Sequence, residues 1–128
     1  MFFRMDLSRR HIYLARIALV VTLGVVTWLA TSHITAPAIA NVNDKMAHLA
    51  AFYCLAILID FAFPNEGFSL RKVVLLMSYG LLIELIQRQI PYREFSLLDW
   101  LADGVGVMLY PLSIPLLKNI PMLRLRWA

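Results

Sequence analysis

Charge is scarce in this sequence of 128 residues: Asp, Glu, Lys and Arg make up 16% of it, against about 25% in an ordinary soluble domain. With 61% of residues hydrophobic and a mean hydropathy of +0.72, the scarcity excludes a typical water-soluble domain and predicts a membrane protein. Cysteine is nearly absent too. The single Cys54 excludes an internal disulfide and reads as a small apolar packing residue within a helix. Neither an internal repeat nor a low-complexity stretch is present, so a single domain over 1–128 is expected. The net charge of +4 does not imply nucleic acid, because the basic residues collect just outside apolar runs, where topology signals lie.

Those runs are what the sequence has in abundance. Helices are predicted over about 12–31, 44–63, 72–90 and 97–117, each long enough at 1.5 Å per residue to cross a hydrocarbon core of about 30 Å. Pro64-Asn65-Glu66-Gly67 stops the second, and Pro91 closes the third. Pro111 and Pro115 are tolerable within the fourth, as in other membrane helices. The expected fold class is all-α: a polytopic bundle of four transmembrane helices. A rival reading makes the first run a cleaved signal peptide ending at Ala38-Ile39-Ala40, which leaves the later helices unchanged.

Orientation follows from the basic residues. One side would carry Arg4, Arg9, Arg10, Arg16, Arg71, Lys72, Lys118, Arg124 and Arg126, the other only Lys45, Arg88 and Arg93, so both termini are expected in the cytoplasm. Trp28, Tyr92 and Trp100 then fall at the outer interface, Tyr13 and Trp127 at the inner one.

With that topology the start of the second helix, the end of the third and the start of the fourth share the outer leaflet. These ends carry the polar residues. Asp44, Lys45 and His48 open the second helix, and Glu84, Gln87 and Arg88 sit near the end of the third. Asp99 and Asp103 lie in the first two turns of the fourth. Acidic groups facing lipid would cost about 2.5–3.5 kcal/mol each at the bilayer centre, so they are expected to face one another. Gly80 and Gly106 lie on the same faces and would admit a neighbouring helix. His48 with Glu84 and Asp103 forms a candidate acid/base group. Lys45, Arg88, Arg93 and two helix N-termini form a candidate anion cradle, with Asp44, Gln87 and Asp99 as further ligand-binding candidates.

Plainer roles exist for each. Asp44 and Asp99 fit helix N-caps, Lys45 and Arg88 fit interface anchors, and His48, Glu84 and Asp103 could form a network that only fixes helix register. Asp60 is expected to pair with Arg16 or Lys72. A divalent metal held by Asp44, His48, Glu84, Asp99 and Asp103 is a weak reading, since one His and no Cys make no diagnostic zinc spacing; no cofactor is expected.

Taken together, Asp44-Lys45-x-x-His48, Gly80-x-x-x-Glu84-x-x-Gln87, Arg93 and Ser96-x-x-Asp99-x-x-x-Asp103-x-x-Gly106 resemble the signature of VanZ-like membrane proteins, over about half the chain. Asp103 departs from that pattern, which usually has Asn there. The resemblance implies a small multi-pass protein of the bacterial cytoplasmic membrane, with a link to low-level resistance to the lipoglycopeptide teicoplanin, and it supplies no established reaction. Three functions are therefore expected to compete. One is binding of an anionic envelope lipid or glycolipid head group. Another is an intramembrane hydrolase or transferase using His48 with Glu84 or Asp103. The third is a non-catalytic partner subunit of an envelope enzyme.

Overall fold

The computed structural model describes residues 9–31, 42–89 and 97–124. Every regular element in them is helical: α1 (Arg9–Thr31), α2 (Val42–Ala62), α3 (Leu70–Arg88), α4 (Leu97–Leu117) and the single turn α5 (Pro121–Arg124). The four long helices lie where the apolar runs predict them, and the differences are at the ends. Helix α1 begins in the basic turn Arg9-Arg10-His11, three residues before the apolar run. Ser69, extended at φ −87° and ψ 168°, lets α3 start at Leu70, and its hydroxyl turns outward to donate to Glu66 Oε2 at 2.6 Å. That bond, with Arg71 and Lys72 nearby, holds the Glu66 carboxyl below its ordinary range. The short α5 was not expected; Pro121 at its first position suits a helix start, where no N–H is required.

Side-chain pairs fix the directions. Lys45 meets Asp99, His48 meets Asp103 and Tyr53 meets Ser113, so α2 and α4 run parallel. Helix α3 runs against both: Lys72 reaches Asp60 on α2, and Trp100 on α4 donates from its indole nitrogen to the Met77 carbonyl at 3.0 Å. Helix α1 runs along α3, with Tyr79 donating to the Leu23 carbonyl and Gln87 to that of Ala30. The result is an up-down-up-down bundle in which α2 touches all three other long helices and packs most extensively on α4.

That pairing is close because Gly106 has no side chain: a Cβ there would overlap the Leu49 carbonyl of α2. Leu55, Ala56, Val107 and Tyr110, all at 0% exposure, fill the seam below it. Helix α4 accepts two interior prolines. Pro111 and Pro115 withhold the donors for the carbonyls of Val107 and Pro111, and between them Ser113 Oγ donates to the Tyr110 carbonyl at 2.8 Å.

Polarity is inverted relative to a protein folded in water. Asp60, Lys72, Glu84, Gln87, Asp99 and Asp103 are buried, while Leu14, Ile17, Val21, Leu82, Leu101 and Leu116 are among many exposed apolar side chains. Three helices are long and apolar enough to cross a membrane: Arg9–Ala30, Lys45–Ala62 and Leu97–Leu117. Helix α3 does not join them by composition, because Arg71, Lys72, Glu84 and Arg88 fall within its 19 residues.

Candidate functional site

Two polar layers cross the bundle, one near each end. The first stands where α2 and α4 begin and α3 finishes. His48 is nearly two turns into α2, and its side chain, 14% exposed, is turned toward α4, while Met46 and Ala47 lie on the exposed face. Asp103, on the inward face of α4 four residues after Asp99, is buried, with 1% exposure. His48 Nδ1 and Asp103 Oδ1 share a hydrogen bond of 2.7 Å. With the carboxylate as acceptor, Nδ1 carries the proton and Nε2 is left as the ring's lone-pair atom.

Nε2 faces Asp99, whose Oδ2 lies 3.8 Å away, while Asp99 Oδ1 accepts from Lys45 Nζ at 3.2 Å. Glu84 closes the group from α3 with 0% exposure. One ligand atom from each of His48, Glu84 and Asp99 lies within 4.8 Å of the other two, a set that could hold a metal ion. Among the described residues, no hydrogen bond reaches the buried Glu84 Oε2 or Asp103 Oδ2, and both residues have further interactions. Asp103 Oδ2 occupies space that only a glycine leaves open: a Cβ on Gly80 would stand 2.7 Å from it and 3.2 Å from the Phe52 ring.

The structure thus brings together His48, Glu84, Asp99, Asp103 and Lys45. It does not bring in Gln87, whose amide donates to the Ala30 carbonyl at 2.9 Å and so secures the last turn of α1. Arg88 is exposed on the last turn of α3. The Asp44 side chain and all of Arg93 lie outside the described residues, as does Ser96, the other half of the capping pattern proposed for Asp99. Among the described side chains, Lys45 is the member of the expected cation cradle seen at the site, and Asp99 engages it.

The second layer stands at the opposite end. Lys72, its side chain 4% exposed, donates from Nζ to Asp60 Oδ1 at 2.8 Å and to the Phe63 and Glu66 carbonyls at 2.9 and 3.0 Å. Tyr110 Oη completes it with a 2.5 Å bond to Asp60 Oδ2. Of the two partners expected for Asp60, Lys72 is the one found. Arg16 instead donates to the Ala62 carbonyl and stacks its guanidinium 4.9 Å over the Phe63 ring. Three Lys72 bonds and both Asp60 oxygens are used within the layer, which ties the ends of α2, α3 and α4 together.

Sequence reasoning missed three contributors. Tyr110 carried a usable signal, since a phenol deep in an apolar run needs a hydrogen-bond partner. Phe52, packed on Gly80, and Trp100, which ties the start of α4 to α3, looked like ordinary apolar and interfacial residues. Comparison of the chain with protein-family models, with curated proteins and with solved structures yields no match.

Proposed function

We propose that this chain is a VanZ-like integral membrane protein of the bacterial cell envelope. It spans the cytoplasmic membrane four times with both termini inside, and it handles an anionic lipid or glycolipid head group in the polar site beneath the outer face. The exposed apolar side chains of α1 and α4, with the length and hydropathy of α1, α2 and α4, support the membrane setting. For α3 the support comes from direction: Lys72, Glu84 and Gln87 are buried in the bundle, while Val74, Leu75, Leu81, Leu82 and Leu85 face outward. A count of charges treats inward and outward groups alike, but lipid meets only the outward ones. The distribution of nine basic residues against three supports the orientation.

The observation that carries the head-group reading is the stacking of unlike charges along one edge. Lys45, 38% exposed, stands at the rim over Asp99, and the His48–Asp103 pair lies one turn deeper. An anionic head group entering from the outer leaflet meets the ammonium first and the imidazole next. Purified protein examined by native mass spectrometry should retain a phospholipid or polyprenyl phosphate, and Lys45→Ala should release it. Protein that carries no lipid, or a Lys45→Ala variant that keeps it in full, would count against the reading.

The His48–Asp103 bond favours a second reading, an intramembrane hydrolase or transferase. An imidazole held by a carboxylate at 2.7 Å is positioned to take a proton through Nε2. In that case His48→Gln folds normally and ends turnover of the lipid identified above, whereas Lys45→Ala chiefly raises KM.

A further inference from the structure

We infer that His48, Glu84 and Asp99 form a binding site for one divalent transition-metal cation, zinc or manganese, with Asp103 positioning the histidine. The three ligand atoms come from three helices and lie within 4.8 Å of one another. Around an ion with bonds of about 2.0–2.2 Å, tetrahedral ligands stand roughly 3.3–3.6 Å apart, so a small change in side-chain torsion closes the set. The neighbours already aim the atoms inward. Asp103 takes Nδ1 of His48, which leaves Nε2 toward the centre; Lys45 takes Oδ1 of Asp99, which leaves Oδ2 facing Nε2 at 3.8 Å. A metal-bound histidine commonly donates its other ring N–H to a carboxylate, the pairing present here.

Glu84, Asp99 and Asp103 are buried, so the carboxylates that would hold or orient the ion are already gathered beneath Lys45. One nitrogen with two carboxylate oxygens suits zinc or manganese better than calcium, which takes six to eight oxygens. Three protein ligands leave a position for water or a head-group oxygen. This last step rests on the head-group reading; the cation site itself does not.

The test uses full-length protein in nanodiscs, stripped with chelator and titrated separately with zinc chloride and manganese chloride by calorimetry. The expected result is one ion per chain for at least one of the two metals. Glu84→Gln and Asp99→Asn should each raise Kd at least about tenfold, and Asp103→Asn about 10–100-fold through the second shell. His11→Ala and His33→Ala should leave it unchanged. Absence of stoichiometric binding by either metal, or binding that survives Glu84→Gln and Asp99→Asn but disappears with His11→Ala or His33→Ala, overturns the site. Should a ligand variant not fold, cobalt chloride added to the wild-type protein decides. A d–d spectrum of four- or five-coordinate cobalt supports the site, and the spectrum of the hexaaqua ion rejects it. Lipid retention is read separately, so loss of lipid with metal binding intact rejects only the head-group reading.

Discussion

His48 sits where a charged or polar side chain has no inexpensive alternative. In the proposed membrane setting an outward ring would face hydrocarbon; turned inward it meets Asp103, Asp99 and Glu84. Asp103→Ala should leave Nδ1 of His48 buried without its acceptor and lower stability by about 1–3 kcal/mol, measured by thermal unfolding in detergent. Asp103→Asn, which can still accept that bond, should recover most of the loss. Much of this was legible in the sequence, because ionisable residues in apolar runs are rare and the helical repeat gives their face and depth. The fate of Gln87 was not legible. Its spacing from Glu84 predicts a shared face, but the carbonyl it serves belongs to Ala30 on α1, and nothing in the α1 sequence advertises that carbonyl.

At the scale of the helix, glycines decide how closely the elements approach. Gly106→Ala would drive a methyl into the Leu49 carbonyl, so α2 and α4 must separate; the expected loss is about 1–3 kcal/mol, seen as a lower Tm. Gly24→Ala meets nothing within 4 Å on α1 and should be neutral or stabilising by up to about 1 kcal/mol. The contrast tests packing against propensity. Breaking the buried Lys72–Asp60 pair on one side, with Asp60→Ala, should lower stability by about 3–5 kcal/mol, and Asp60→Leu with Lys72→Met should restore part of it. In the turn between α2 and α3, the lowered Glu66 value means its carboxylate stabilises the fold above the unfolded-state value, and the contribution disappears as pH falls through the folded one. Ser69→Ala should flatten that acid limb in a plot of Tm against pH. Helix existence was legible from apolar length, and Pro64 marked one boundary. The start of α3 at Leu70 was not, because Ser69 reads equally as loop or cap until its hydroxyl is seen bonding Glu66.

For the whole molecule, the layout is a largely apolar exterior enclosing two polar layers, one joined by its own bonds and one built from carboxylates, a histidine and a lysine. The proposed topology, four spans with both termini inside, predicts an accessibility pattern. In a Cys54→Ala background, cysteines at Asn65 and Asn119 should resist an impermeant maleimide in intact cells, and one at Gln89 should react. Composition alone does not mark α3 as a span, and in the structure its Lys72 and Glu84 are turned into the bundle interior. The meeting of α2, α3 and α4 at one end is the claim on which the site depends, and the ring nitrogens of His48 report on it most directly. In ¹⁵N-histidine NMR of the protein in bilayers, the Nδ1 resonance of His48 should shift in Asp103→Asn, and the Nε2 resonance should shift in both Glu84→Gln and Asp99→Asn. A His48 ring whose two resonances ignore all three substitutions would contradict the account.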